Sequence, residues 1–280
     1  MGISTPTVEE SAADAFATVF ADAAGESILA VGFGEETTTT LIEQLDDVEE
    51  PPQVRLLASD DILKWVREDF LVASAAAELI GADTLALRSL SAPAPSQLLI
   101  TDSQVFSIVH AGSLTACTAT DDAEFVSNAR TKYTDAWEEA QEFVLRTPAR
   151  SRVSETLSEE FDPEVETDFT AILDGLGSTR SGDFDAVAAA LLAGAKHGVQ
   201  LFEISHWGED VGLASKATFS RKKNRLEEVG LIDTEKIPID VGRPRLRLLL
   251  DAERFSEPDT SPDTIVSVGQ QRLQLEPAEA

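Results

Sequence analysis

Three observations predict a mixed α/β chain of two domains. Residues 7–147 alternate helical and strand-like patterns. A proline- and acid-rich stretch at 147–166 breaks that rhythm. A helical region then ends in two β-type segments over 184–250, the order helix, helix, turn, helix and two strands. The expected layout is an α/β sensor or dimerisation domain over 1–147 and an acidic linker over 148–163. A winged helix-turn-helix over 164–255 and a flexible tail over 256–280 complete it.

In the N-terminal part, residues 11–24 read as a helix and 28–32 as an apolar strand. Residues 37–45 read as a second helix and 54–58 as a second strand. Ser59, Asp60 and Asp61 form a capping cluster for one long helix from Ile62 to Ile80. Short β-type runs follow at 85–87, 98–101 and 105–110, with another at 114–118. A closing helix is expected from Asp122 to Phe143. Pro148 and Pro163 bracket the linker, and a helix is expected over Glu164–Leu176.

Composition narrows the function classes. At 42% apolar, the 280 residues can build real cores. No apolar run reaches the roughly 18 residues of a membrane span, and the N-terminus has no basic-then-apolar leader pattern. The expected address is therefore the cytoplasm. The single cysteine, Cys117, excludes an intrachain disulfide and an all-cysteine metal site. The net charge is -29, from 51 acidic and 22 basic residues. Such self-repulsion opposes folding in dilute buffer, whereas at about 1 M salt the Debye length falls to ~3 Å. A disordered acidic chain would be poor in apolar residues, so the composition points to a folded protein of a salt-loving cell.

Against this background one window is basic. Residues 216–247 hold nine bases and five acids, a balance of +4, so the other 248 residues sum to -33. A basic island in an acidic chain is the footprint expected where phosphates dock. It falls within a recognisable series: helices over 184–196 and 201–210, Gly212 as a stop, and Ser215 as the cap of a helix over 216–229. Strands over 231–239 and 246–250 flank a basic turn at 240–245.

Helix phase sorts the third helix. With Phe219 on the core side, Leu226 lies about 20° and Lys223 about 40° away at 100° per residue. Lys223 would pack its stem and let its amine snorkel out. Ala217, Arg221, Asn224 and Glu228 lie opposite, flanked by Ser220 and Arg225. Arg221 could fork to guanine and Asn224 to adenine, with the small Ala217 and Ser220 allowing close approach. The expected DNA-binding set is Ser215, Lys216, Ala217, Thr218, Ser220, Arg221, Lys222, Asn224 and Arg225, with Arg243 and Arg245 on the wing. The stretch from Lys216 to Arg225 contains five bases and no acid, leaving salt pairing without local partners.

The run from Trp207 through Arg221, with Leu226–Ile232 and Val241–Arg245, resembles the TbsP family of haloarchaeal transcriptional regulators. Leu57–Val66 and Phe70–Ser74 resemble the same family, so the likeness spans most of the chain. The resemblance implies sequence-specific DNA binding in a halophilic archaeon. The partners expected are double-stranded promoter DNA, a second copy of the chain as suits a symmetric operator, and a small-molecule effector. The helices at Asp122–Phe143 and Glu164–Leu176 are candidate dimer surfaces. No effector-binding residue can be assigned.

Other motifs weigh less. Gly32-Phe33-Gly34 lacks the third glycine of a dinucleotide fingerprint, and Glu35 and Glu36 would repel phosphate, so a tight turn is expected. Residues 95–113 look like a phospholipase-D-type strand-turn-strand. Pro95, Gln97 and Asp102 stand where that family needs histidine, lysine and aspartate. A degenerate fold of that type, as in TrmB-type sensors, and an unrelated α/β domain in which Asp102 makes a hairpin turn stand level. The histidines His110, His197 and His206 lack zinc-ligand spacing, and His206 beside Trp207 is expected to pack. No catalytic residue, metal site or cofactor is expected. A phosphodiesterase-like enzyme, or a protein-interaction module with an accessory winged helix, is the alternative.

Overall fold

Ser27–Val31 (β2), with Ile28 to Val31 buried, lies in the middle of a sheet beside Gln53–Ser59 (β3), which buries Val54 and Leu56 to Ala58 and leaves Gln53 and Arg55 exposed at its start, as strands covered on two sides along most of their length should. A computed structural model describes residues 7–9, 11–23, 26–90, 92, 94–112, 114–179, 184–238, 244–255 and 260–275. The chain divides into two units: Met1–Glu68 with Val72–Leu145, and Asp69–Leu71 with Arg146–Ala280.

The first unit carries an eight-stranded sheet. Its remaining strands are Thr7–Glu9 (β1), Leu85–Leu90 (β4), Gln97–Ile100 (β5), Val105–Ala111 (β6), Leu114–Thr120 (β7) and Gln141–Glu142 (β8). The order is β1-β7-β6-β5-β2-β3-β4-β8. β2, β3 and β4 are parallel, joined by helical crossovers, whereas β5, β6 and β7 form an antiparallel meander. Helices Ala12–Asp22 (α1), Glu35–Asp47 (α2), Asp60–Glu68 (α3) and Phe70–Gly81 (α4) supply Phe16, Leu41, Leu63 and Ala76 to the core on one face. On the other face, Ala123–Glu139 (α5) lays Val126, Tyr133 and Trp137 over Leu29, Val31, Leu57, Ile100 and Val105.

Two expectations fail here. The single helix expected over Ile62–Ile80 is two, because the buried Asp69 carboxylate accepts the Leu71 N–H at 3.1 Å and draws that donor out of the helical ladder. The closing helix stops at Glu139 rather than Phe143. Gln141 and Glu142 leave it to pair with Ser89 and Arg88 at the sheet edge.

The second unit is helical around Ala186–Lys196 (α8), in which every residue from Ala186 to Ala195 is buried. Around it stand Arg150–Glu160 (α6), Pro163–Leu176 (α7), Leu201–Val211 (α9), Lys216–Glu228 (α10) and Pro262–Leu275 (α11). Ile232–Ile237 (β9) and Arg245–Leu250 (β10) form a two-stranded antiparallel ribbon. Residues expected to be an acidic linker instead fold as α6, because Val153 and Leu157, one helical turn apart, sink into this core. Part of the expected tail likewise folds as α11. Its Ile265 and Val266 are buried, and Gly269 lies so close to Phe184 that a Cβ there would meet the ring at 2.3 Å.

Candidate nucleic-acid interface

The turn between α9 and α10 is set by two glycines. Gly212 has φ +89, a left-handed conformation that costs glycine little and ends α9. The chain then doubles back, with Leu213 N–H donating to the Gly208 carbonyl at 2.8 Å. Gly208 has another reason to be glycine. A Cβ on it would lie 2.3 Å from two carbons of the Phe219 ring, so α10 sits directly on the backbone of α9. Trp207 anchors α9 beneath, 1% exposed, donating from Nε1 to Thr156 Oγ1 at 3.0 Å and meeting Phe161 and Phe169 edge-on.

Ser215 caps α10, its Oγ accepting the Thr218 N–H at 3.2 Å. Ser215→Ala should cost about 1 kcal/mol, visible as a lower melting temperature with the fold retained. Phe219, Lys223 and Leu226 are the buried residues of the helix. Ala217, Ser220, Arg221 and Asn224 are exposed on the opposite side. The Lys223 amine reaches out of the core to Glu227 Oε2 at 2.8 Å, and Glu227 Oε1 accepts from Thr234 Oγ1 on β9, also at 2.8 Å. One carboxylate thus ties the third helix to the ribbon.

The bases of α10 are mostly paired. Lys216 meets Glu209 of α9 at 3.0 Å, and its ammonium and then its backbone N–H hold the Glu209 carboxyl below the usual carboxylate range. Lys222 meets Asp185, the N-cap of α8, at 3.0 Å. Arg225 lies 3.8 Å from Glu228. Arg221 makes no ion pair among the described residues. Local partners, expected to be lacking, are present for Lys223 in Glu227 and for Arg225 in Glu228, just beyond the acid-free stretch. The acids come from α9, from the α8 cap and from the far end of α10 itself.

Two family models match the sequence: "Transcriptional regulator TbsP-like, N-terminal" over residues 4–148, and "Transcriptional regulator TbsP-like, C-terminal HTH domain" over residues 149–270. The chain belongs to the TbsP-like transcriptional regulators. No curated protein matches it. Among solved structures it is similar to TrmBL2, described as an archaeal chromatin protein with a novel mode of DNA binding. The identity is 17%, the TM-score 0.36, and 51% of this chain and 54% of that one are covered. It is also similar to Nuc of Salmonella typhimurium, a phospholipase D family member. There the identity is 14%, the TM-score 0.34, and 50% of this chain and 99% of that one are covered. The chain spans about half the length of TrmBL2.

In this TbsP-like chain the described residues expected to meet DNA divide into four groups. Ala217, Ser220, Arg221 and Asn224 share one exposed face. Ser215 and Thr218 are engaged in the cap, and Lys216, Lys222 and Arg225 in ion pairs, with only 12% of the Lys222 side chain exposed. Arg245 opens β10 with its guanidinium 4.5 Å from the Phe202 ring centroid and 3.4 Å from Gln200 Oε1, held against α9. Arg243 lies outside the described residues. Sequence reasoning missed Glu209, Asp185, Gln200 and Phe202, the residues that position these bases. Only Asp185 carried a local signal, as an acidic cap before an alanine-rich run.

Elsewhere, Asp102 pairs with Arg130 of α5 and sits in the β5–β6 turn, with Pro95 exposed and Gln97 opening β5. His206 is exposed rather than packed, its ring 5.9 Å from Phe202 and its Nδ1 3.5 Å from Asp210. Trp207 is the residue that fills the core.

Proposed function

We propose that this TbsP-like regulator reads promoter DNA sequence-specifically, as a homodimer, inside a cell with molar salt. The observation that carries this reading is the division of α10. Phe219, Lys223 and Leu226 face the core, while Arg221 and Asn224, side chains suited to guanine and adenine, share an exposed face with the small Ala217 and Ser220. The ribbon of β9 and β10 is the wing, with Arg245 and Arg243 beside phosphate or the minor groove. The first unit is the sensor, responding to a small metabolite that shifts the spacing of two DNA-binding heads.

Selection of bound duplexes from a random pool in molar KCl tests this reading. An enriched inverted repeat is expected, and a pool that stays random with folded protein would overturn it. The charge of -29 makes a second prediction. The melting temperature should rise steeply as KCl goes from about 0.1 M to 1 M, because repulsion among the acids is screened. A temperature independent of salt would count against the high-salt setting.

A further inference from the structure

The large sheet is covered unevenly. Among the described residues, α5 is the helix on one of its faces, and its cluster reaches Ile100 of β5 and Val105 of β6. Strands β6 and β7 run on beyond that cluster. Ser107 pairs with Thr118, Val109 with Ala116 and Ala111 with Leu114. Alternation along a strand places all six on the same face as Val105. Val109 is 55% exposed and Leu114 is 52% exposed. None of the six can ionise, in a chain where 26% of residues are charged. The opposite face of these strands, by contrast, is closed by Phe106 and Ile108 in the main core.

We propose that this uncharged strip of β6 and β7 is the surface through which two copies of the chain dimerise. The inference rests on the homodimer reading above and names its contact. Each copy carries -29, so most ways of bringing two together set carboxylate against carboxylate, and burying unpaired carboxylates is costly. The strip lets two copies touch without that cost. A two-fold contact needs a surface that matches itself, and a row of valine, leucine, alanine, serine and threonine does. A basic or acidic partner would find no charge there to recognise. The helix α7, expected from sequence as a candidate dimer surface, instead spends Val165, Phe169, Ile172 and Leu173 on its own core.

Sedimentation of the full chain in molar KCl without DNA tests the assignment. The wild type should be dimeric. The double variant Val109→Glu with Leu114→Glu should raise the dimer dissociation constant about a hundredfold or more, with unchanged circular dichroism. Val144→Glu, at a residue 65% exposed in the segment after β8, should leave the dimer intact. A wild type that stays monomeric, a double variant that still dimerises, or a Val144 variant that dissociates equally would overturn the proposal. Should the double variant fail to fold, Val109→Cys in a Cys117→Ser background gives a second measurement. Cys117 belongs to the opposite face of β7. A bis-maleimide long enough to span the strip should link two folded chains through residue 109, and folded protein that remains unlinked rejects the strip. A monomeric variant that still binds a half-site leaves the DNA reading standing.

Discussion

Arg221→Glu is expected to abolish sequence-specific duplex binding while leaving the fold and its melting temperature unchanged. The side chain is exposed and has no ion pair among the described residues, so its replacement breaks no ion pair there. What it removes is a forked donor that two acceptors of a guanine can satisfy, worth about 1–3 kcal/mol in discrimination. The new carboxylate would also face base-edge acceptors and phosphates of its own sign. Together these should weaken binding to the selected duplex by about a hundredfold or more. Fluorescence anisotropy at fixed molar KCl measures it, with circular dichroism as the check on folding. Unchanged affinity would remove Arg221 from the reading face and with it the docking of α10.

Gly208→Ala should be strongly damaging to the second unit for so small a substitution. Alanine is the better helix former by about 1 kcal/mol, which alone would stabilise α9. Its methyl, however, would stand 2.3 Å from two atoms of the Phe219 ring, and that ring is fully buried and cannot swing into solvent. Overpacking of this kind costs about 1–3 kcal/mol, and here the opposing atoms belong to a rigid ring, so the clash outweighs the helical gain. Thermal denaturation should show a melting temperature several degrees lower. Gly81→Ala, at the end of α4 with nothing within 4 Å of the added methyl, should show no loss. Adding Phe219→Leu to Gly208→Ala should restore part of the loss, since the smaller side chain vacates the contested space. Equal melting of the Gly208 variant and wild type would mean that α9 and α10 cross elsewhere.

The face of α10 was legible from sequence because helical phase depends on spacing alone, and one reference residue, Phe219, orients all the others. The ion pairs on that helix were not. Glu209 and Asp185 reach it from other helices, and which acids come near depends on packing that a linear pattern does not encode. The break at Asp69 was hidden because no glycine or proline marks it and the apolar spacing continues on either side. The helices α6 and α11 were hidden by composition. Their surroundings are rich in acid or proline, and the small apolar sets Val153 with Leu157 and Ile265 with Val266 are easily passed over. Ser261 followed by Pro262, a hydroxyl that accepts the Thr264 N–H and a proline in the first helical position, was the available clue for α11.

The paired bases of α10 also bear on thermodynamics that mutation does not reach. Cations already matched to carboxylates on their own protein have few phosphates left to neutralise, and each phosphate neutralised on B-DNA contributes about -0.9 to the slope of log K against log salt. A helix on which, among the described residues, Arg221 is the cation without an ion pair should therefore displace few bound ions from the duplex. Its affinity would decline gently along a concentration series that strips a polycationic binder from the same site.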